Sequence, residues 1–281
     1  MKDAQDQFFI TAVLHIRRGV VFPSHIQRAK SFTRYLPCGC GSMRAHIFGD
    51  SHGNYLFART ENADLHCIPG RTMHRVGRDG AADMLRQTQF EPDDVIIFVF
   101  GEVDVRCHML RIAASKGLSL QTEADDLATR YVTALTDATN QFRHRPKICV
   151  MGIVPPIDPL VPNPILPNVG TLAERLVAWF LLDKALEART HQAGYTFVPI
   201  PRVYHSRDGS LKRRYSDGHA HIAKDCTEAA ARAVEKSLGI SLGFRPLPVW
   251  RNMLRAATRQ LAILNRDYAV LWTLGEANVD G

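Results

Sequence analysis

The sequence predicts a three-layer α/β fold, a doubly wound parallel sheet of about five strands with helices on both faces. Two observations predict it. Short runs of β-forming residues recur along the chain and are apolar throughout, the pattern of strands buried on both faces. Longer amphipathic stretches with helix caps separate them, so successive strands are joined by crossovers and lie parallel. Ligands in such sheets bind beyond the carboxyl ends of the strands, so a site is expected among the residues just after each strand.

Ala45–Phe48 is the first buried run and stops at Gly49. Leu65–Ile68 is a weaker second strand, closed by Pro69 and Gly70. Val95–Phe100 (Val-Ile-Ile-Phe-Val-Phe) is the strongest, ending at Gly101. Lys147–Val154 is stopped by Pro155-Pro156, and Tyr195–Ile200 comes after a helix stop at Gly194. Between them, Thr122 is placed to cap a helix over Glu123–Phe142, with Asp125 at the capping-box position and a stripe of Leu127, Tyr131, Leu135, Ala138 and Phe142. Further helices are read over Thr171–Thr190, over the Ala-rich stretch Lys224–Leu238, and around Met253–Leu264 with a packing face of Met253, Leu254, Ala257, Leu261 and Leu264. The organisation expected is a basic N-terminal extension over 1–44, the α/β domain over 45–243 and a helical extension over 244–281.

Composition narrows the class. The 281 residues are 46% hydrophobic and 22% charged, ordinary for a soluble globular chain, and no run approaches the roughly 18 apolar residues of a membrane span. The apolar run Phe8–Leu14 is preceded by acids and followed by Arg17-Arg18, the wrong order for a secretory signal, so a cytoplasmic location is expected. The net charge of +7 sits wholly in residues 1–44 and 245–281, without aromatic interleaving, a zinc pattern or a helix-turn-helix, and no nucleic-acid partner is expected. Cys38, Cys40, Cys67, Cys107, Cys149 and Cys226 are scattered and read as reduced thiols; Cys38-Gly-Cys40 is too short for a metal motif.

Three blocks carry chemistry. Gly49-Asp50-Ser51-His52-Gly53-Asn54 comes directly after the first strand, which puts Ser51 on an exposed turn near a helix N-terminus where backbone N–H groups can stabilise an oxyanion. Gly101-Glu102-Val103-Asp104-Val105-Arg106-Cys107-His108 comes after the third, where burying so many ionisable groups unpaired would cost several kcal/mol each. Either some of them face a cleft or they form a structural ion-pair knot. Asp217-Gly218-His219-Ala220-His221 precedes the helix over Lys224–Leu238, and a carboxylate there can orient an imidazole that serves as base for a distant serine.

At these blocks the sequence resembles the SGNH (GDSL-like) hydrolase family. Gly49-Asp50-Ser51 matches its first block, Gly101-Glu102-Val103-Asp104 stands at its Gly-x-Asn-Asp block, and Asp217 with His219 or His221 is similar to its final Asp-x-x-His block. Thr72–Asp79 and Phe100–His108 look like a bacterial branch of that family. The resemblance runs from about Arg44 to Leu238 and implies a flavodoxin-like sheet and a serine esterase or acyltransferase that needs no cofactor or metal. It implies Ser51 as nucleophile, His221 as general base (His219 the alternative) and Asp217 as its orienter. Gly77, Gly101, Asp104, Arg106 and His108 are implied as oxyanion or substrate-binding residues, and an O-acyl carbohydrate or other small ester as substrate. Two departures stand out: Val103 occupies the place of an oxyanion-donating Asn, with Arg106 as a candidate replacement, and Asp217 lies two and four residues before the histidines, never three. Arg71, Arg75 and Arg78 would suit an anionic substrate or be solvated surface charge.

Two rival readings use the same residues. Asp50, His52, His219 and His221 look like metal ligands of a two-metal phosphoesterase, although the Gly-Asn-His block such enzymes need is missing. With Val103 in place of Asn, the site could instead bind an acylated ligand or a protein without turnover.

Overall fold

The computed structural model describes residues 43–144, 146–158, 166–250, 253–254 and 256–257. Almost all of the expected basic extension, Cys38, Cys40 and most of the expected helix Met253–Leu264 therefore lie outside the described residues. β1 (Ala45–Gly49) leads into α1 (Ser51–Leu56), and β2 (Ala63–Cys67) into α2 (Met73–Asp79) and α3 (Ala82–Leu85). β3 (Val95–Val99) is followed by a π-helical turn over Asp104–His108 that continues as α4 (Met109–Lys116), and then by α5 (Leu120–Thr139). β4 (Lys147–Met151) precedes α6 (Leu172–Gln192), and β5 (Thr196–Val198) precedes α7 (Glu228–Leu238).

All strand pairs are parallel, in the order β2-β1-β3-β4-β5. This is the flavodoxin-like doubly wound order, in which the winding direction reverses between β1 and β3 and opens a crevice at their carboxyl ends. Side chains alternate across the sheet. Phe48, Ile96, Phe98 and Val150 meet α2, α5 and α6 on one face. Ala45, Ile47, Val95, Ile97 and Cys149 meet α1 and α7 on the other. Two apolar clusters on opposite faces of one sheet require strands with no polar face, which is why the runs read as uninterrupted.

Helix boundaries follow the caps. Thr171 caps α6 in a full capping box with Glu174. The expected cap at Thr122 is corrected: Ser119 caps α5, its Oγ accepting from the Thr122 backbone N–H at 3.0 Å, and Asp125 accepts instead from Gln121 on the surface. The short helix α2 and the helical turn after β3 are not read from the sequence, because charged residues break any clear apolar stripe there.

Candidate active site

The site begins where β1 ends. At Gly49 a Cβ would stand 2.5 Å from the Val99 carbonyl oxygen, so only glycine allows β1 to close on β3 at this level. Asp50 then caps α1, its Oδ1 accepting from the His52 backbone N–H at 2.7 Å, and this turn presents Ser51 as the first helical residue. After β3, Gly101 at φ 114 turns the chain into the helical segment that carries Glu102, Asp104 and Arg106. Both turns flank the β1/β3 crevice.

The third block closes over them. Ser216 and Ile222 pair as an antiparallel bridge, and inside that loop Asp217 Oδ1 accepts from the backbone N–H groups of His219 (2.8 Å) and His221 (3.2 Å). This tight loop absorbs the extra residue of the Asp217 to His221 spacing. Asp217 Oδ2 lies 2.8 Å from His221 Nδ1, and His221 Nε2 lies 2.9 Å from Ser51 Oγ. Hydroxyl, imidazole and carboxylate thus form one hydrogen-bonded series. Burial pushes the Asp217 carboxyl up, but the His221 ring and the His219 N–H more than offset this and hold it below the ordinary carboxylate range. His221, not His219, carries the ring bonded to Ser51; burial draws the His219 imidazole below its usual range.

No protein-family model and no curated protein sequence matches the chain. Solved structures do align with it. A carbohydrate acetylesterase from Sinorhizobium meliloti is 14% identical, with a TM-score of 0.45 over 70% of this chain and 99% of that one. A GDSL-like lipase from Bacteroides thetaiotaomicron is 13% identical, with a TM-score of 0.44 over 70% of this chain and 85% of that one. The OSK domain of Drosophila Oskar is likewise 13% identical, with a TM-score of 0.43 over 68% of this chain and 86% of that one.

Most of the charged second block turns inward. Arg106, only 8% exposed, grips Glu102 through Nε (2.8 Å) and Nη2 (3.2 Å) and reaches the Leu166 carbonyl through Nη1. Its guanidinium is an internal partner of Glu102, which corrects its expected role as a replacement oxyanion donor. Asp104 accepts from the backbone N–H groups of Met73 (2.7 Å) and His74 (3.1 Å) and from His74 Nδ1 (2.6 Å), pinning the N-terminus of α2. His74 in turn bonds Glu123 on α5 at 2.8 Å. Asp104 is thus part of an ion-pair knot rather than a substrate contact. Val103 is fully buried. His108 is half-buried near Arg111, and its burial lowers its pKa.

Gly77 also has a different task from the one expected. It lies inside α2, its backbone N–H within the helical ladder, and a Cβ there would meet Arg130 Cβ at 3.1 Å. It lets α2 pack closely on α5 and is not placed to donate to an oxyanion. The loop after β2 also carries Gly70, at φ 73, and the Ile68 N–H bonded to the Gly49 carbonyl (2.8 Å) ties this loop to the turn that precedes Ser51. Arg75 and Arg78 both pair with Asp79 on the exposed side of α2.

Two further residues belong to the site. Tyr55, one helical turn after Ser51, stacks on the His221 ring at 4.0 Å and 12°. The i,i+4 spacing on α1 is the signal that could have found it. His52 sits beneath, its ring 4.5 Å from that of His221. Nδ1 of His52 faces Asp50 Oδ1 (3.0 Å), and its Nε2 faces the Ala220 carbonyl (3.3 Å) and Glu102 Oε2 (3.4 Å). Both ring nitrogens of His52, like both of His221, are engaged with protein groups, which leaves neither ring a lone pair directed at a metal. Among the described residues no cluster of three or more His, Cys, Asp or Glu is arranged to hold a metal ion. A cavity of about 700 Å³ opens beyond β4 and β5, its polar lining including Asp158, Ser206, Asp208, Ser210, Lys212 and Arg213.

Proposed function

We propose that this protein is a serine hydrolase of carboxylic esters in which Ser51, His221 and Asp217 act as a catalytic triad. The observation that carries the reading is the unbroken series from Ser51 Oγ through His221 to Asp217, at 2.9 and 2.8 Å. As Ser51 Oγ attacks the acyl carbon, His221 Nε2 takes its proton, and the Asp217 carboxylate stabilises the imidazolium and fixes its tautomer. Collapse of the tetrahedral intermediate breaks the bond to the leaving alcohol, which receives the proton from His221. Water, deprotonated by His221, then cleaves the acyl-Ser51 ester and regenerates the hydroxyl. The backbone N–H groups of Ser51 and Gly70 are the proposed oxyanion donors, which compensates for the apolar Val103.

O-acyl groups on a carbohydrate are the proposed substrate class. The resemblance of the three blocks to SGNH hydrolases supports it. Hydrolysis of p-nitrophenyl acetate by wild type and by Ser51→Ala tests the reading. Wild type is expected to turn over and the variant to fall to the uncatalysed background. Equal rates for the two folded proteins would overturn it.

A further inference from the structure

The residue next to the nucleophile holds a charge that the triad mechanism does not use. His52 is 2% exposed, and every group that its ring nitrogens face is an acceptor. The Ala220 carbonyl can only accept, so Nε2 carries a proton. Asp50 Oδ1 already accepts the His52 backbone N–H, so Nδ1 carries one as well. A ring that donates from both nitrogens is an imidazolium. Its charge is balanced locally: Asp50 and Glu102 supply two negative charges, and Arg106, paired bidentately with Glu102, supplies the second positive one. All four side chains are buried, with exposures from 0 to 8%.

We infer that His52 is a positioning residue, an imidazolium held by Asp50 and Glu102 that tethers the Ala220 carbonyl and so sets the adjacent His221 against Ser51. The inference rests on the ester-hydrolase reading and adds a control element to it. Ala220 lies between the two histidines of the catalytic loop, so one hydrogen bond from the floor of the site fixes the height of His221. Tyr55 stacks on His221 from α1, with Lys224 Nζ 4.9 Å above the Tyr55 ring, and the His52 ring packs at 4.5 Å. The groups facing His52 are thus Asp50 from the β1 turn, Glu102 and Arg106 from the segment after β3, and His221 from the loop before α7.

Burial acts to lower the His52 pKa, but Asp50 and Glu102 outweigh burial and the opposing Arg106, and raise it to about 9. The tether is therefore fully present below the ordinary histidine range and is lost as pH rises through about 9. A neutral His52 keeps one N–H, and the Asp50 carboxylate, 3.0 Å from Nδ1, holds it there, so the donor to the Ala220 carbonyl is the one lost and the buried quartet is left with net negative charge.

The test is the pH dependence of fluorophosphonate labelling at Ser51, from pH 6 to 10.5, in wild type, Glu102→Gln and His52→Gln. It is read beside the ring ¹⁵N titration of His52, with His52→Gln supplying the NMR assignment. Wild type is expected to lose reactivity in a one-proton step near pH 9, the pH at which the His52 ring titrates. Glu102→Gln, which removes one sustaining charge, should move both transitions down by about one pH unit. His52→Gln should label on the order of 100-fold more slowly at pH 7, as expected for a misplaced base, and lack the alkaline step. A His52 ring that titrates below pH 7, or an alkaline step unmoved in both variants, overturns the inference. Wild type that fails to label at any pH would instead sink the hydrolase reading, while the ring titration would still decide whether His52 is an imidazolium.

Discussion

Asp217 does two jobs with two oxygens. Its Oδ1 ties the backbone of its own loop through His219 and His221, and its Oδ2 orients the His221 ring. A carboxylate so used is hard to replace, because an amide keeps an acceptor but presents a donor to the imidazole and favours the wrong tautomer. Asp217→Asn is expected to fold and to lower kcat by about 10³–10⁴-fold, measured as steady-state hydrolysis of p-nitrophenyl acetate. A loss below tenfold would show that His221 is oriented by something else. These residues are legible in the sequence because each block is local: a serine after a Gly-Asp turn, and an acid with two histidines on one loop. The choice between His219 and His221 is not, since it depends on how a five-residue loop closes. The antiparallel bridge between Ser216 and Ile222 makes that closure.

Among the elements, the segment after β3 shows why a charged motif is ambiguous in sequence. Its acids and bases divide between two structures: Glu102 and Arg106 pair beneath the site, while Asp104 ties the start of α2 to α5 through His74 and Glu123. Neither use leaves a signature beyond the i,i+4 spacing of Glu102 and Arg106, and the π-helical turn that carries both Asp104 and Arg106 has no period to read. Gly77 is hard to place from sequence for a related reason. Both Gly70 and Gly77 come after β2, and only the start of α2 at Met73 distinguishes a loop glycine from a packing one. Asp104→Ala should remove the acceptor of the Met73 and His74 backbone N–H groups and leave His74 against Glu123 alone, destabilising the fold by about 3 kcal/mol in urea unfolding. A change under about 0.5 kcal/mol would mean that the N-terminus of α2 is held by Thr72 without help.

For the whole molecule, the strand order and the two apolar clusters follow from runs that the sequence displays openly, and the sheet places the first two blocks at the reversal between β1 and β3. The buried charges beneath that crevice give the fold a pH dependence. His52 is raised to about 9, so its contribution to stability is complete below about pH 6.5 and falls away as pH rises through about 9. Glu102 and Asp217 are held below the carboxylate range, so theirs is present above about pH 4.5 and is lost as pH falls. The melting temperature should therefore be highest between these limits and decline on the alkaline side, and His52→Gln should flatten that alkaline decline. A wild-type melting temperature unchanged from pH 6 to 9.5 would contradict the imidazolium assignment.

In the proposed reaction Ser51 is an activated nucleophile. Fluorophosphonate labelling of wild type beside Ser51→Ala at pH 7.5, with the modified peptide mapped by mass spectrometry, tests it most directly. Stoichiometric labelling confined to Ser51, with none in the variant, is the expected result. Folded wild-type protein that stays unlabelled, or that labels at another residue, would contradict it.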